Sequence, residues 1–169
     1  MMPRITRVIF AGPGASGKTT LIQRYVDGVF NPSTPMTVGF EEHVITLKGE
    51  DFAFIDIGGQ PQFKFQRMGF YRWGKMVILS LPLDIENPYE KVEMFFKEII
   101  QVIGKRPMIL LGTKSDKWDG KNPSEASIVE FKNRLENKLG ENIPFIITSA
   151  KTGENIEEVM NSVFRLSSL

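Results

Sequence analysis

The run Gly12-Pro13-Gly14-Ala15-Ser16-Gly17-Lys18-Thr19 fills every fixed position of the spacing G-x-x-x-x-G-K-[ST]. Each residue type has a chemical use there. Glycines let successive backbone N–H groups turn inward around a phosphate chain, at a helix start whose unpaired donors favour negative charge. A lysine at this spacing neutralises the outer phosphates, and the hydroxyl after it is a ligand for Mg2+. Lys18 and Thr19 take those parts, and Thr20 extends the cradle. The run therefore predicts a nucleotide site.

Three later segments carry complementary chemistry. Asp56-Ile57-Gly58-Gly59-Gln60 ends an extended run, and an acid at a strand end can hold Mg2+ through water. Thr113-Lys114-Ser115-Asp116 leaves another strand. A carboxylate there can accept from both N1–H and the 2-amino group of guanine, which adenine does not offer, while the Lys114 stem covers the ring. Thr148-Ser149-Ala150-Lys151 leaves the last strand, where a backbone N–H can reach the base O6. Taken alone, S-A-K is a common surface-loop sequence; its order after the other motifs makes it informative.

Placing these loops requires alternating strands and helices. Arg4 to Ala11 reads as a buried strand and Lys18 to Asp27 as a helix, so the glycines fall where one must turn into the other. Gly39 to Leu47 and Asp51 to Ile57 form an expected antiparallel pair around Lys48-Gly49-Glu50. Met76 to Leu81, Met108 to Leu111 and Phe145 to Ile147 supply three more strands, giving a six-stranded, mostly parallel α/β sheet with helices on both faces. Asn87-Pro88 and Asn122-Pro123 read as N-cap and first-turn pairs, with Glu90 and Glu125 in the first turns. The stripes Val92-Phe95-Phe96-Ile99-Ile100-Ile103, Ile128-Phe131-Leu135-Leu139 and Ile156-Val159-Met160-Val163-Phe164 are expected in the core.

Composition limits the alternatives. At 169 residues, 41% hydrophobic and 24% charged, the chain is expected to be one domain, 1–169, with an adequate core. A net charge of +1 gives no electrostatic case for nucleic acid. No cysteine is present, which removes disulfides, thiolate metal sites and S-linked lipids, so no covalent lipid anchor and a cytoplasmic location are expected. No cluster suggests zinc, a Ser-His-Asp triad or paired catalytic carboxylates, and the sole histidine, His43, reads as a surface residue.

With the four motifs in order, the chain resembles the Ras superfamily of small GTPases from about Arg4 to Phe164. The resemblance implies a P-loop G domain that binds GTP and GDP with Mg2+. It implies metal contacts from Thr19, Thr37 and Asp56 and a water-positioning role for Gln60, with Lys18 and Thr37 completing the catalytic set. Thr37-Val38-Gly39-Phe40 is similar to a first switch, Phe30 matches the aromatic that packs on guanine, and Gly59 would meet the γ-phosphate. Phe63, Phe70, Tyr71 and Arg72 resemble a Rab-like second switch. The implied switch loops, about Thr34–Phe40 and Asp56–Trp73, would meet effector, exchange-factor and GTPase-activating proteins.

The departures matter too. Thr113 stands where an Asn is usual, as in Rho-type members, and its hydroxyl can still tether neighbouring loops. Gly58-Gly59 is the Arf and Gα form, with expected backbone freedom beside the γ-phosphate that Pro61 partly offsets. Thr34-Pro35-Met36 lacks the usual tyrosine. Gly12-Pro13-Gly14 and Lys18-Thr19-Thr20 also resemble the prokaryotic gliding-motility GTPases, whose second-strand arginine has no counterpart in Glu41 to Leu47; the subfamily stays open. With no Arg between Val26 and Leu47 to act in cis, intrinsic hydrolysis should be slow. Arg67 and Arg72 read as a solvated basic face, and Phe40, Phe63 and Tyr71 as exposed partner contacts. Two other classes remain open: a GTP-dependent scaffold with little hydrolysis, which Gln60 argues against, and a P-loop kinase, opposed by the guanine motif and the lack of a basic lid.

Overall fold

The computed structural model describes residues 4–169. Its order is β1 (Thr6–Ala11), α1 (Lys18–Asp27), β2 (Phe40–Leu47), β3 (Glu50–Ile57), α2 (Lys64–Tyr71), β4 (Met76–Pro82), α3 (Tyr89–Ile103), β5 (Met108–Thr113), α4 (Glu125–Leu139), β6 (Phe145–Ile147) and α5 (Ile156–Ser167). The sheet runs β2-β3-β1-β4-β5-β6. Only β2 is antiparallel to its neighbour, pairing Phe40 with Ile57 and Leu47 with Glu50. The expected six-stranded sheet is thus present, with Glu50 inside β3 rather than in the turn.

Side chains on successive strand residues point to opposite faces, which divides the core in two. Ile9, Ile55, Val77, Leu79 and Leu110 pack on one face with Phe95, Phe96 and Ile99 of α3 and with Ile128, Phe131 and Leu135 of α4. Val8, Phe10, Phe54, Ile78 and Ile109 pack on the other with Leu21 and Ile22 of α1 and with Val159, Met160 and Val163 of α5. The apolar stripes therefore do form the core, with Ile100 and Phe164 at its half-buried margin. Strand order reverses about β1: consecutive elements leave it toward β3 on one side and β4 on the other. The carboxyl edge at that reversal is where an open sheet leaves a crevice for ligand.

Two helix starts differ from expectation. The α4 cap is Ser124, whose side chain accepts the Ser127 N–H at 3.1 Å, not Asn122. Pro123 is held outside the helix because its carbonyl accepts the Trp118 indole N–H at 2.8 Å, while Asp119 captures the Lys121 and Asn122 N–H groups. At α3 the helix begins at Tyr89 with Pro88 in the cap position and no side-chain cap, so Asn87 lies outside it.

Candidate functional site

The phosphate loop leaves β1 and enters α1 through alternating backbone hands: Ala15 has φ 60° and Gly17 φ 88°. Such left-handed steps turn consecutive N–H groups toward one point, a nest for an anion. Gly17 meets this at no steric penalty, whereas Ala15 is a residue strained by position. Lys18 closes the loop from inside. Its Nζ donates to the Gly12 and Pro13 carbonyls, each at 2.9 Å, and to Ser16 Oγ at 3.3 Å. Burial pulls the ammonium down to about 8; the Asp56 carboxylate opposes this, and Arg67 and Lys114 add to it. A buried cation with only neutral acceptors in contact has the chemistry to receive an anion such as a polyphosphate.

Three oxygens converge beside it. Thr19 Oγ1 and Thr37 Oγ1 are 2.7 Å apart, Thr37 donates to Asp56 Oδ2 at 3.2 Å, and Thr19 donates to the same oxygen. Asp56 Oδ1 is buried without a hydrogen-bond partner. Two hydroxyls and one carboxylate with a spare lone-pair face are hard oxygen donors that fit Mg2+, which keeps waters and shares substrate phosphates. No cluster of three or more His, Cys, Asp or Glu that could hold a metal occurs among the described residues, so any ion here depends on the hydroxyls.

The Gly58-Gly59 pair has a different reason from the expected freedom. A Cβ on Gly59 would run into the Gly12 carbonyl, and would lie 2.5 Å from Gly14 N and 2.6 Å from the Pro13 carbonyl carbon. Neither glycine has positive φ. They are small so that the end of β3 can press on the phosphate loop and on Thr37, and Gly58 N–H is fixed to the Gly39 carbonyl at 2.9 Å.

The opposite end of the cleft is lined by Phe30, Thr113, Lys114, Asp116, Ala150 and Lys151, continuous with the phosphate end through Ala15, Gly17, Thr20 and Thr34. Its loops are tied together. Thr113 Oγ1 donates to the Ser16 carbonyl at 2.6 Å and Lys114 Nζ to the Ala15 carbonyl at 2.6 Å, so the residue in place of the usual Asn does tether the phosphate loop. Ser149 Oγ donates to Asp116 Oδ1 at 2.7 Å, orienting the carboxylate.

The structure thus gathers Gly14 through Thr20, Thr37 and Gly59 at one end of the cleft and the three base-side loops at the other. Gly12 and Asp56 lie beneath the lining, and Gln60 stands at the rim with its Nε2 3.5 Å from Met36 Sδ. Sequence reasoning missed Asp84, whose Oδ2 accepts from Lys114 Nζ at 3.3 Å, and Ser80, whose Oγ is 2.6 Å from Ser16 Oγ beneath the loop. Neither has a local motif; β4 simply ends against the phosphate loop.

Two readings of the second switch segment are corrected. Arg67 is 2% exposed, not solvated: it forms a bidentate ion pair with Glu98 on α3. Tyr71 is fully buried and donates its hydroxyl to Glu98 at 2.9 Å, so it is not a partner contact. Burial, and then the Glu98 carboxylate, push the phenol far above its ordinary value and keep it a donor. Phe40 is exposed and Phe63 half-buried, but the most exposed aromatics of this region are Phe65 at 91% and Trp73 at 51%. Arg72 is exposed as expected, but His43, read as a surface residue, is half-buried on the face of β2 that carries the core residues Ile45 and Leu47, with its Nε2 shielded from solvent 3.6 Å from Glu41.

A phosphate nest at the reversal point of this sheet, with a tethered aspartate lining the far end of the same cleft, defines a P-loop nucleotide-binding G domain. The chain belongs to the Ras family, whose profile matches residues 7–168. It is 28% identical over 169 residues to the Ras-related protein SEC4 of Saccharomyces cerevisiae, covering 96% of this chain and 74% of the relative. Identity is 30% over 173 residues to the Ras-related protein RabG2 of Dictyostelium discoideum, with 96% and 84% coverage. The Ras-related protein Rab7A of Mesembryanthemum crystallinum matches at 27%, with 95% and 80% coverage. The protein is accordingly a small GTPase of the Ras-like class, a guanine-nucleotide binder that interacts with regulators or effectors. No helix among the described residues is long and apolar enough to cross a membrane.

Proposed function

We propose that this chain, acting as a single G domain over residues 1–169, is a molecular switch that hydrolyses GTP to GDP and phosphate with Mg2+. The observation that carries the reading is the convergence of Thr19, Thr37 and Asp56 beside buried Lys18, with Gly59 pressed on the same loop. Bound Mg2+, held by the Thr19 and Thr37 hydroxyls with Asp56 behind them, would neutralise charge on the β- and γ-phosphates. Lys18 grips those phosphates, and the loop N–H groups of Gly14 to Thr19 cradle them. Gln60 orients the attacking water. Asp116, Lys114, Phe30 and the Ser149-Ala150-Lys151 loop select guanine.

Thr37 and Gly59 give the switch its logic. Both belong to segments whose hold on the site is strongest when a γ-phosphate is present, so hydrolysis weakens both together and loosens residues 34–40 and 58–73. The exposed Phe65, Trp73 and Phe40 are the side chains a nucleotide-state-sensitive effector would read. Exchange and GTPase-activating proteins would act on the same loops. The location proposed is cytoplasmic, with no covalent lipid.

Intrinsic catalysis should be slow, because no arginine lies between Val26 and Leu47 to neutralise the γ-phosphate in cis. The expected single-turnover rate for the isolated protein with saturating Mg2+ and GTP is on the order of 10⁻⁴ to 10⁻² s⁻¹, accelerated about 10³- to 10⁵-fold by a partner. Gln60→Leu should keep nucleotide affinity and lower this rate at least about tenfold, since the side chain acts in the transition state. Phosphate release from both proteins checks it. A wild-type rate of several per second, or no loss on Gln60→Leu, contradicts the reading.

A further inference from the structure

We propose that Arg67 is a positioning residue for hydrolysis, pinning the Gln60 backbone through a guanidinium that Glu98 of α3 clamps from the other side. The inference rests on the hydrolytic reading above. Arg67 Nη1 donates to the Gln60 carbonyl at 2.8 Å, while Nε and Nη2 donate to the two Glu98 oxygens at 2.9 and 2.8 Å. The Tyr71 hydroxyl completes the Glu98 carboxylate at 2.9 Å, and the Phe95 ring lies 4.7 Å from the guanidinium carbon. Arg67 and Glu98 are 2% and 3% exposed. The three bonds to Glu98 therefore lie out of water, where they are strong and directional, and the bond to the Gln60 carbonyl is part-buried.

The geometry has one outlet. Two of the fork's three donor directions are spent on Glu98, which fixes the plane of the guanidinium; the third then has a fixed aim, and it meets the Gln60 carbonyl. That carbonyl also accepts the Phe63 N–H at 3.1 Å, so the peptide after Gln60 is held from two sides as the chain turns into α2. A lysine could not span carboxylate and carbonyl in this way, because an ammonium has no planar fork. Buried ion pairs contribute little net stability, so what the cluster supplies is position. Position matters at this residue: a displacement of about 1 Å of a group that orients a reactant can lower a rate about 10²-fold. Gln60 itself is tied to α3, a helix outside the two switch loops, by a link of two side chains.

The test removes the cluster as a unit, because deleting Arg67 alone would strand a buried carboxylate. In the full chain, Arg67→Met, Glu98→Leu and Tyr71→Phe are combined, and Arg67→Lys is made separately as a variant that keeps the charge but not the fork. Cooperative thermal unfolding confirms that each is folded. The expected result is GTP affinity within about threefold of wild type, a single-turnover rate at least about tenfold lower, and faster amide hydrogen exchange at residues 60–64. In a Gln60→Leu background the same changes should alter the rate by less than about twofold, because they act through the glutamine. A folded variant that hydrolyses within twofold of wild type, or an equal loss in the Gln60→Leu background, overturns the proposal. If the unaltered protein does not hydrolyse GTP at all, the proposed function fails instead. Exchange at residues 60–64 then decides the positioning role by itself: faster exchange upholds it and unchanged exchange refutes it.

Discussion

Lys18→Ala should lower GTP affinity by at least about 10³-fold, roughly 4 kcal/mol, while leaving the protein folded. The magnitude follows from what the ammonium contacts. In the free protein it is buried against two carbonyls and a hydroxyl, with burial holding it down to about 8. A polyphosphate replaces these neutral acceptors by anionic ones, and hydrogen bonds to charged groups are worth about 1.5–3 kcal/mol each. The fold should survive because the loop is also tied by Thr113 to Ser16 and by Lys114 to Ala15. A pH dependence follows. Bound phosphate raises the Lys18 pKa above its free value of about 8, so the stabilisation is fully present below that pH and declines as pH rises through it. Equilibrium titration with a fluorescent GTP analogue checks both; an Ala variant binding within tenfold of wild type would contradict the role assigned to Lys18.

Base choice should be equally marked, with guanine nucleotides bound at least about 10³-fold more tightly than adenine nucleotides. Asp116 is held by Ser149 at one oxygen, which leaves a fixed carboxylate among the base-side residues of the cleft. Guanine can donate to it twice. Adenine leaves it desolvated and unpaired, at about 1–3 kcal/mol or more for a charged group. Asp116→Asn should move the preference toward xanthine, whose 2-oxo group needs a donor. Competition between GTP, ATP and XTP measures this, and equal GTP and ATP dissociation constants would rule out Asp116 as the discriminating group.

The sheet and the phosphate loop were legible because their signals are local. Apolar runs of strand length, three stripes of helical spacing and a filled G-x-x-x-x-G-K-[ST] pattern each lie within one short window. Arg67 was not legible for the opposite reason. Its partner, Glu98, is 31 positions away, and a charge on a short segment with Gly69 inside it reads as solvent-facing until the two helices are packed. A clue did exist: Glu98 interrupts the apolar face of α3 between Phe95 and Ile99, a place that needs a buried cation opposite. The Ser124 cap was hidden by Asn122-Pro123, a strong helix-start pair that the Trp118 indole holds outside the helix. Gly58-Gly59 showed the same limit: composition suggested freedom, and packing against Gly12 and Thr37 supplied the actual cause.

The central claim is that one bound phosphate holds both loops. The direct measurement is amide hydrogen exchange at residues 34–40 and 58–73, followed through a single turnover of Mg2+-GTP while phosphate release is recorded on the same sample. Both segments should begin protected and lose protection together, with the time course of phosphate release. Loops that exchange identically before and after hydrolysis, or that open on a time course unrelated to phosphate release, would contradict a switch built on Thr37 and Gly59.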